Sequence, residues 1–283
     1  MKLVTIRHQA HEHVAEQEGD TLYLLDAPSM LALITAGGMA ERTGQSLVLA
    51  DVQLLAPIPH PRRNILCVGK NYLDHVGEFS RSGFDASSAP DAPPELAPEH
   101  PILFTKLPET VIGPGDPIRY PHGVSEALDY EAEVAMVIGR KAHQVSHADA
   151  LGHIFGFTLV NDVTARDLQR RHKQWFIGKS LDSFCPMGPA IITADAVAAH
   201  GLDITCHVNG QLRQSGCTRD LIFDMASLIA TLSAGITLYP GDIIATGTPA
   251  GVGAGFSPPR FLQPGDVVQV ASPQIGVLVN TVA

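Results

Sequence analysis

The stretch LDYEAEVAMVIGR, residues 128–140, combines a strand-like apolar run with two glutamates in front of it. Residues 134–138 are continuously apolar and end at a glycine, which is typical of a buried β-strand. Glu131 and Glu133 stand at the start of this run, separated by a single residue. Because side chains alternate across a strand, both carboxylates are expected on the same face. Buried like charges repel and are costly to desolvate, so the pattern predicts a positive group between them.

Composition and charge argue against two classes of partner. The 283 residues are 45% hydrophobic and 17% charged, which is enough for a sizeable core. The formal net charge of −10 argues against nucleic acid or an anionic membrane, because both require a basic face. The four cysteines have no C-x-x-C spacing, so free thiols in a reducing compartment are expected. With no signal-peptide pattern and no apolar run of about 18 residues, the sequence predicts a soluble cytoplasmic protein.

Turn residues divide the chain into two parts. Residues 1–57 are predicted to form a small N-terminal α+β module, with strands over 3–7 and 21–25 and a helix that starts near Ser29. The proline-rich PIPHPRR marks the boundary, and residues 58–283 form the main domain. Strands dominate there, with helical patterns chiefly over 165–173 and 221–232. The prediction is a mainly β fold with some α structure and a proline-rich lid at about residues 76–100.

A candidate metal site combines the two glutamates with a third acid. Asp162 ends the apolar strand FGFTLVND, about thirty residues after Glu131 and Glu133. Three carboxylates with open coordination positions suit a hard divalent ion, Mg²⁺ or Mn²⁺, that keeps waters or takes substrate oxygens. In the alternative interpretation, the glutamates face solvent on an edge strand and Asp162 caps the following helix.

Candidate catalytic groups lie on both sides of these acids. His75 and Glu78 are three residues apart in a predicted helix, where a carboxylate can orient an imidazole as a general base. The alternative is a surface ion pair. Lys179 lies in GKS, but the first glycine of a phosphate loop would fall at Lys173, so that motif is excluded. The glycine-rich TGTPAGVGAG, residues 246–255, is either a backbone-lined pocket for a carboxylate or oxyanion, or a plain turn.

Eight motifs in order carry a resemblance to a known family. They are VGKNYLDHVGE, PILFTK, IGPGDPI, DYEAEVAMVIG, NDVTARDLQRR, GKSLDSFCPMGP, VNGQLRQSG and GDIIATGTPAGVG. From about Ile65 to its end, the chain resembles the fumarylacetoacetate hydrolase superfamily, in the branch that holds acylpyruvate hydrolases and oxaloacetate decarboxylases. The resemblance implies a mixed β-sandwich roll assembled as a homodimer.

The resemblance also implies roles for individual residues. Glu131, Glu133 and Asp162 would hold Mg²⁺ or Mn²⁺. His75 and Glu78 would form the general-base dyad, on a segment that orders when substrate binds, and Lys179 would act beside the metal. The implied substrate-binding residues are Lys70, Asn71, Arg166, Gln169 and Thr248.

The first functional hypothesis is a divalent-metal-dependent hydrolase that cleaves an acylpyruvate-type 2,4-dioxo acid to pyruvate and a carboxylic acid. The cation would stabilise enolate charge while the dyad activates water. One alternative is a decarboxylase of oxaloacetate, or an isomerase or decarboxylase of an unsaturated 2-oxo diacid in aromatic catabolism. Another, from a different class, is a metal-stabilised scaffold that binds a ligand without turnover. All the catalytic hypotheses require a small 2-oxo acid as substrate.

Overall fold

The computed structural model describes residues 1–84, 97–199 and 201–283. Strands take up 38% of the chain and helices 20%, which confirms the predicted mainly β class. The strands are β1 (Lys2–His8), β2 (His11–Glu18), β3 (Thr21–Leu25), β4 (Arg42–Val48), β5 (Gln53–Leu54), β6 (Ile65–Gly69), β7 (Ile102–Lys106), β8 (Val111–Ile112), β9 (Leu128–Asp129), β10 (Ala132–Ile138), β11 (Ile154–Asn161), β12 (Thr164–Ala165), β13 (Cys185–Thr193), β14 (Asp203–Val208), β15 (Gln211–Cys217), β16 (Ile243–Ala245), β17 (Val267–Ser272) and β18 (Gly276–Thr281). The α-helices are α1 (Met30–Thr35), α2 (Leu73–Arg81), α3 (His147–Ala150), α4 (Arg166–His172), α5 (Phe176–Lys179) and α6 (Met225–Ser233).

One large mixed sheet carries both the N-terminal strands and the centre of the main domain. Its strands follow the order β4-β3-β2-β1-β13-β11-β10-β16-β6-β7, with β5 beside β1 and β8 beside β13. β1 and β13 are antiparallel and pair Leu3 with Ile191, whereas β16 and β6 are parallel. The N-terminal strands therefore extend the sheet of the main domain. A second, antiparallel sheet has the order β15-β14-β17-β18.

β10 is apolar throughout because both of its faces are covered. All seven of its residues are buried. Val134 and Met136 pack into the core that is shared with the second sheet. Ala135 and Val137 lie in the core that includes α1. Burial of a valine or methionine side chain contributes about 1.5–3 kcal/mol, so this strand anchors the centre of the fold and fixes the position of the residues at its start.

The expectation that one strand carries both glutamates is wrong, because the chain leaves the sheet between Asp129 and Ala132 and Glu131 lies outside β10. β9 pairs with β12, outside the large sheet. The backbone N–H of Glu131 donates to the side-chain oxygen of Asn161 at 3.0 Å. Its carbonyl accepts the N–H of Asp162 at 2.8 Å. Glu131 therefore precedes β10, yet these two hydrogen bonds hold it against the end of β11.

Two helices differ from their predicted bounds. The helix expected over 221–232 begins at Met225, because the side chain of Asp224 accepts the N–H of Ser227 and caps the first turn. Residues 76–81, expected at the start of the lid, belong to α2, whose Val76 and Phe79 are buried. The rest of that prediction lies largely in residues 85–96, outside the described residues.

Two further observations concern the chain as a whole. All four cysteines are buried and free. Among the helices that the structure describes, none combines the length and apolar character needed to cross a bilayer.

Candidate active site

Three buried carboxylates meet where β10 begins and β11 ends. Oxygens of Glu131, Glu133 and Asp162 all lie within 4.8 Å of one another. The two strands are antiparallel and pair Ala132 with Asn161, which brings these ends together. The side chains are 5%, 1% and 0% exposed, so the alternative of solvent-facing glutamates is wrong.

Two lysines and an arginine surround part of this cluster. Lys179 Nζ lies 2.7 Å from Glu131 Oε2 and 2.6 Å from Asp162 Oδ2. Lys106 Nζ lies 2.6 Å from Asp162 Oδ1 and also contacts the carbonyl of Lys179. On its other side, Glu131 Oε1 is 2.6 Å from Arg166 Nη2. Glu131 and Asp162 are therefore each held between two cationic groups.

The electrostatics of the two glutamates differ. Burial would raise the pKa of Glu131, but the charges of Lys179 and Arg166 outweigh it and hold that pKa well below the usual range. Burial, followed by the charges of Asp162 and Glu131, raises the pKa of Glu133 well above its usual value. Glu133 accepts the N–H of Gly247 at 2.8 Å, and among the described residues no lysine or arginine forms an ion pair with it.

The donor set fits a divalent cation. A cation at this position would neutralise Glu133, the carboxylate that the described side chains leave unbalanced. The donors are all carboxylate oxygens, which favours hard ions with oxygen coordination over zinc or copper. Glu131, Glu133 and Asp162 are the residues that would hold it.

His75 and Glu78 form a buried pair beside the cluster. His75 Nδ1 lies 3.3 Å from Glu78 Oε2, and His75 is 4% exposed. The N–H of Gly251 donates to both oxygens of Glu78, at 2.9 and 3.1 Å. Because Nδ1 of His75 is hydrogen-bonded to the Glu78 carboxylate, Nε2 is the imidazole nitrogen available for proton transfer. The alternative of a surface ion pair is therefore wrong.

The backbone N–H groups of the glycine-rich loop, residues 246–255, bind carboxylates, and these carboxylates are side chains of the protein itself. Its N–H groups donate to Glu133 from Gly247, to Glu78 from Gly251, and to Asp129 from Gly253. Gly251 requires glycine, because its φ is +107° and a Cβ there would lie 1.9 Å from the carbonyl oxygen of Arg213. The loop therefore links the carboxylate cluster to the His75–Glu78 pair.

The sequence reasoning missed two buried residues of the site, Lys106 and Asp129. Asp129 accepts Nε of Arg166 at 2.8 Å and the N–H groups of Gly253 and Ala254 at 2.6 and 3.0 Å. It thereby holds the arginine that contacts Glu131. Both residues are fully buried. The sequence signals were weak: Lys106 is the charged residue at the end of the apolar strand PILFTK, and Asp129 is an acid just in front of the two glutamates.

Replacing Lys106 by Met is expected to destabilise the metal-free protein by about 3 kcal/mol, because it leaves a buried carboxylate with one cationic partner fewer. The expected result is a lower denaturation midpoint in EDTA. The matched control is Lys141→Met, at an exposed lysine. A midpoint for Lys106→Met equal to that of the control would contradict the assigned role.

The predicted substrate-binding residues divide into two groups. Lys70, Arg166, Gln169 and Thr248 line one narrow cavity, of about 10 Å³, together with His75, Lys179 and the two glutamates. Asn71 does not reach this cavity. Its amide donates to the carbonyls of Phe223 and Thr246, and its oxygen accepts the N–H of Phe223, which occupies the side chain in holding loops.

Comparison with known proteins places this site in a family. The family described as "Fumarylacetoacetate (FAA) hydrolase C-terminal" matches residues 64–283, and the one described as "Rv2993c-like, N-terminal" matches residues 1–57. The chain is 51% identical over 235 residues to the oxaloacetate tautomerase YisK of Bacillus subtilis (strain 168). That similarity covers 83% of this chain and 74% of YisK.

Solved structures agree over the whole chain. A fumarylacetoacetate hydrolase (EaFAH) from psychrophilic Exiguobacterium antarcticum has 40% identity and a TM-score of 0.87, covering 100% of this chain and 99% of that chain. The 2-hydroxyhepta-2,4-diene-1,7-dioate isomerase from Mycobacterium marinum has 35% identity and a TM-score of 0.80, covering 100% and 98%. The resemblance and the fold that it implied are confirmed. The chain belongs to the fumarylacetoacetate hydrolase family.

Proposed function

We propose that this protein is a divalent-metal-dependent enzyme that interconverts the keto and enol forms of oxaloacetate or of a closely related 2-oxo diacid. The names of the B. subtilis tautomerase and the M. marinum isomerase both describe isomerisation. This favours the alternative in the sequence interpretation over the acylpyruvate hydrolysis that was expected first. Mg²⁺ and Mn²⁺ are the proposed ions, because the donor set is entirely carboxylate oxygen.

A single observation carries the proposal: a proton-transfer group and a carboxylate cluster flanked by cationic side chains line the same cavity. His75, Lys179, Glu131 and Glu133 all contribute to its wall. Although burial lowers the pKa of Lys179, the charges of Asp162 and Glu131 raise it above its usual value. Lys179 therefore stays an ammonium group at neutral pH, and its role is electrostatic. His75 is left as the group suited to carry a proton.

The proposed reaction moves one proton within the substrate. Nε2 of His75 accepts a proton from C3 of the keto form, and the electron pair of that C–H bond becomes the C2–C3 double bond. Lys179 and Arg166 stabilise the negative charge that develops on the C2 oxygen. A cation held by the three carboxylates would supply Lewis-acid stabilisation of the same charge. Transfer of the proton to that oxygen gives the enol and restores neutral His75.

The test follows oxaloacetate in two channels. Decay of the enol absorbance reports tautomerisation, and a coupled lactate dehydrogenase assay reports pyruvate from decarboxylation. The expected result is a metal-dependent acceleration of enol–keto exchange that greatly exceeds pyruvate release. Pyruvate formation that keeps pace with enol decay would favour a decarboxylase. Cleavage of acetylpyruvate without any effect on oxaloacetate would contradict the proposal.

Acylpyruvate hydrolysis is kept as the second candidate, because one observation favours it. The His75–Glu78 pair has the geometry of a base that activates water, with Glu78 fixed by Gly251. Hydrolysis needs that water, whereas tautomerisation needs only the proton shuttle. Release of acetate from acetylpyruvate at a rate comparable to the tautomerase rate would support this candidate.

Metal binding is expected to stabilise the folded protein. A ligand that binds only the folded state at 100 times its Kd adds about 2.7 kcal/mol to the free energy of unfolding. We therefore expect the melting temperature to rise with Mn²⁺ or Mg²⁺ and to return to the starting value with EDTA, measured by calorimetry. A Glu131→Gln variant should lose most of this response. An identical rise in the variant would place the bound ion elsewhere.

A further inference from the structure

We propose that Trp175 is a specificity-determining residue, whose indole forms the wall that limits how long a 2-oxo acid the site accepts. The inference rests on the proposed function, since it concerns the substrate of that same site. Trp175 precedes α5, the helix that ends at Lys179, and its ring lines the cavity with Phe79 and Phe104. It meets Phe104 edge-on at 5.3 Å and Phe79 at 6.4 Å between ring centroids.

The cavity is too small for any 2-oxo diacid in this conformation. Its volume of about 10 Å³ is close to the minimum that holds one water molecule. Entry of a four-carbon diacid therefore requires part of the cavity lining to move, and a longer acid requires a larger movement. The identity of the wall that moves decides which acids fit.

One side of the cavity wall is held in place by charged groups. Ion pairs fix Glu131, Lys179 and Arg166. His75 is held through Glu78 by the glycine-rich loop. Rearranging these groups would break buried ion pairs and hydrogen bonds, which is strongly unfavourable. The charged side of the cavity is therefore the rigid side.

Lys179 and Arg166 face the rings of Phe104 and Phe79, whereas the indole of Trp175 makes ring contacts but no side-chain hydrogen bond or ion pair with the described residues. Trp175 is half-buried, and the next two residues, Phe176 and Ile177, are 47% and 40% exposed. Lys173, two residues earlier, has a φ of +61°, so the chain turns sharply before the indole. Movement of the Trp175 indole therefore breaks ring contacts, but no ion pair or side-chain hydrogen bond to the described residues.

Gly69 gives independent evidence that the position of the indole is built into the fold. Its φ is outside the left-handed region, so the backbone does not demand glycine there. A Cβ at Gly69 would lie 2.1 Å from Cζ3 and 2.6 Å from Cη2 of Trp175. The glycine at the end of β6 therefore provides the space in which the indole closes the cavity.

The specificity test compares wild type with Trp175→Ala and Trp175→Leu on oxaloacetate and on a seven-carbon 2-oxo diacid. A methylene group in an apolar pocket is worth about 10- to 200-fold in kcat/KM. We expect the ratio of kcat/KM for the longer acid to that for oxaloacetate to rise at least about 10-fold in both variants. Phe176→Ala, which removes an exposed aromatic ring from the same segment, should leave it unchanged. An unchanged ratio in both Trp175 variants would overturn the inference.

A second readout does not depend on turnover. Trp175 is the only tryptophan in the chain, so the intrinsic fluorescence of the protein reports on this one side chain. Titration of the Mn²⁺- or Mg²⁺-loaded protein with oxalate should shift or quench the emission at the concentrations where calorimetry detects binding. Emission that stays constant while calorimetry shows oxalate bound would overturn the inference. A different result would overturn the proposed function instead: the wild-type protein binds oxalate with this emission change but turns over no 2-oxo acid.

Gly69→Ala tests the contact itself. The added methyl group should displace the indole and change its emission, and it should alter the ratio of kcat/KM for the two acids. In the double variant Gly69→Ala/Trp175→Leu the clash is removed, so its ratio should match that of Trp175→Leu alone. Additive effects of the two substitutions would show that they act independently and would contradict a contact-based wall.

Discussion

Replacing Glu133 by Gln is expected to abolish metal-dependent turnover of oxaloacetate while leaving the fold intact. The amide keeps an oxygen for the N–H of Gly247 but loses the charge that a divalent cation requires. Changes to residues that merely support metal ligands lower metal affinity about 10- to 100-fold, so the loss of a ligand charge should exceed about 100-fold. Affinity is measured by Mn²⁺ titration calorimetry, and turnover by decay of the enol absorbance.

The stability of the same variant sharpens this test. Glu133 is buried, and no cation among the described side chains pairs with it. The neutral amide should therefore leave the metal-free protein as stable as wild type or more so. Glu126→Gln, at an exposed glutamate in the same region, is the matched control. Wild-type turnover and metal affinity in Glu133→Gln would remove this residue from the metal site.

The second large effect is expected for His75→Asn. Asparagine retains a polar side chain but cannot carry a proton at neutral pH, and general acid–base catalysis by a positioned side chain contributes about 10²- to 10⁴-fold. We expect kcat for tautomerisation to fall by that factor with no change in Mn²⁺ affinity, because His75 is not one of the three clustered acids. Steady-state kinetics and calorimetry on the same preparation separate the two effects.

His147→Asn provides the matched control. That histidine also pairs with a carboxylate, Asp224, at 3.2 Å, but both side chains are exposed. Its kcat should equal that of wild type. If His75→Asn lost acetylpyruvate hydrolysis but kept oxaloacetate tautomerisation, its role would be restricted to activating water, and the assignment of His75 as the proton carrier would be wrong.

The residues that sequence reasoning found share one property: their role follows from local pattern. Glu131 and Glu133 precede an apolar run, and Asp162 ends another, so the ends of two strands could be expected to meet. His75 and Glu78 are one helical turn apart, and the structure brings their side chains together. Spacing along one helix fixes the relative position of His75 and Glu78, whereas Asp162 was grouped with the glutamates as a further acid at the end of an apolar strand. The resemblance to the family supplied the remaining roles.

The residues that it missed depend on contacts between distant parts of the chain. Lys106 lies 56 residues from Asp162, and Asp129 lies 124 residues from Gly253. No periodicity within either segment reveals such a partner. The interruption between β9 and β10 has the same cause, since Asn161, on another strand, takes the N–H of Glu131. Asn71 was predicted to bind substrate because of its motif. In the structure, its side-chain amide instead donates to the backbone carbonyls of Phe223 and Thr246.

The most direct test of the account is a crystal structure grown with Mn²⁺ and oxalate, with data collected at the manganese absorption edge. We expect one anomalous peak, coordinated by oxygens of Glu131, Glu133 and Asp162 and by oxalate, with His75 and Lys179 facing the bound acid. A peak elsewhere, or oxalate bound in this cavity with no ion among the three carboxylates, would contradict it.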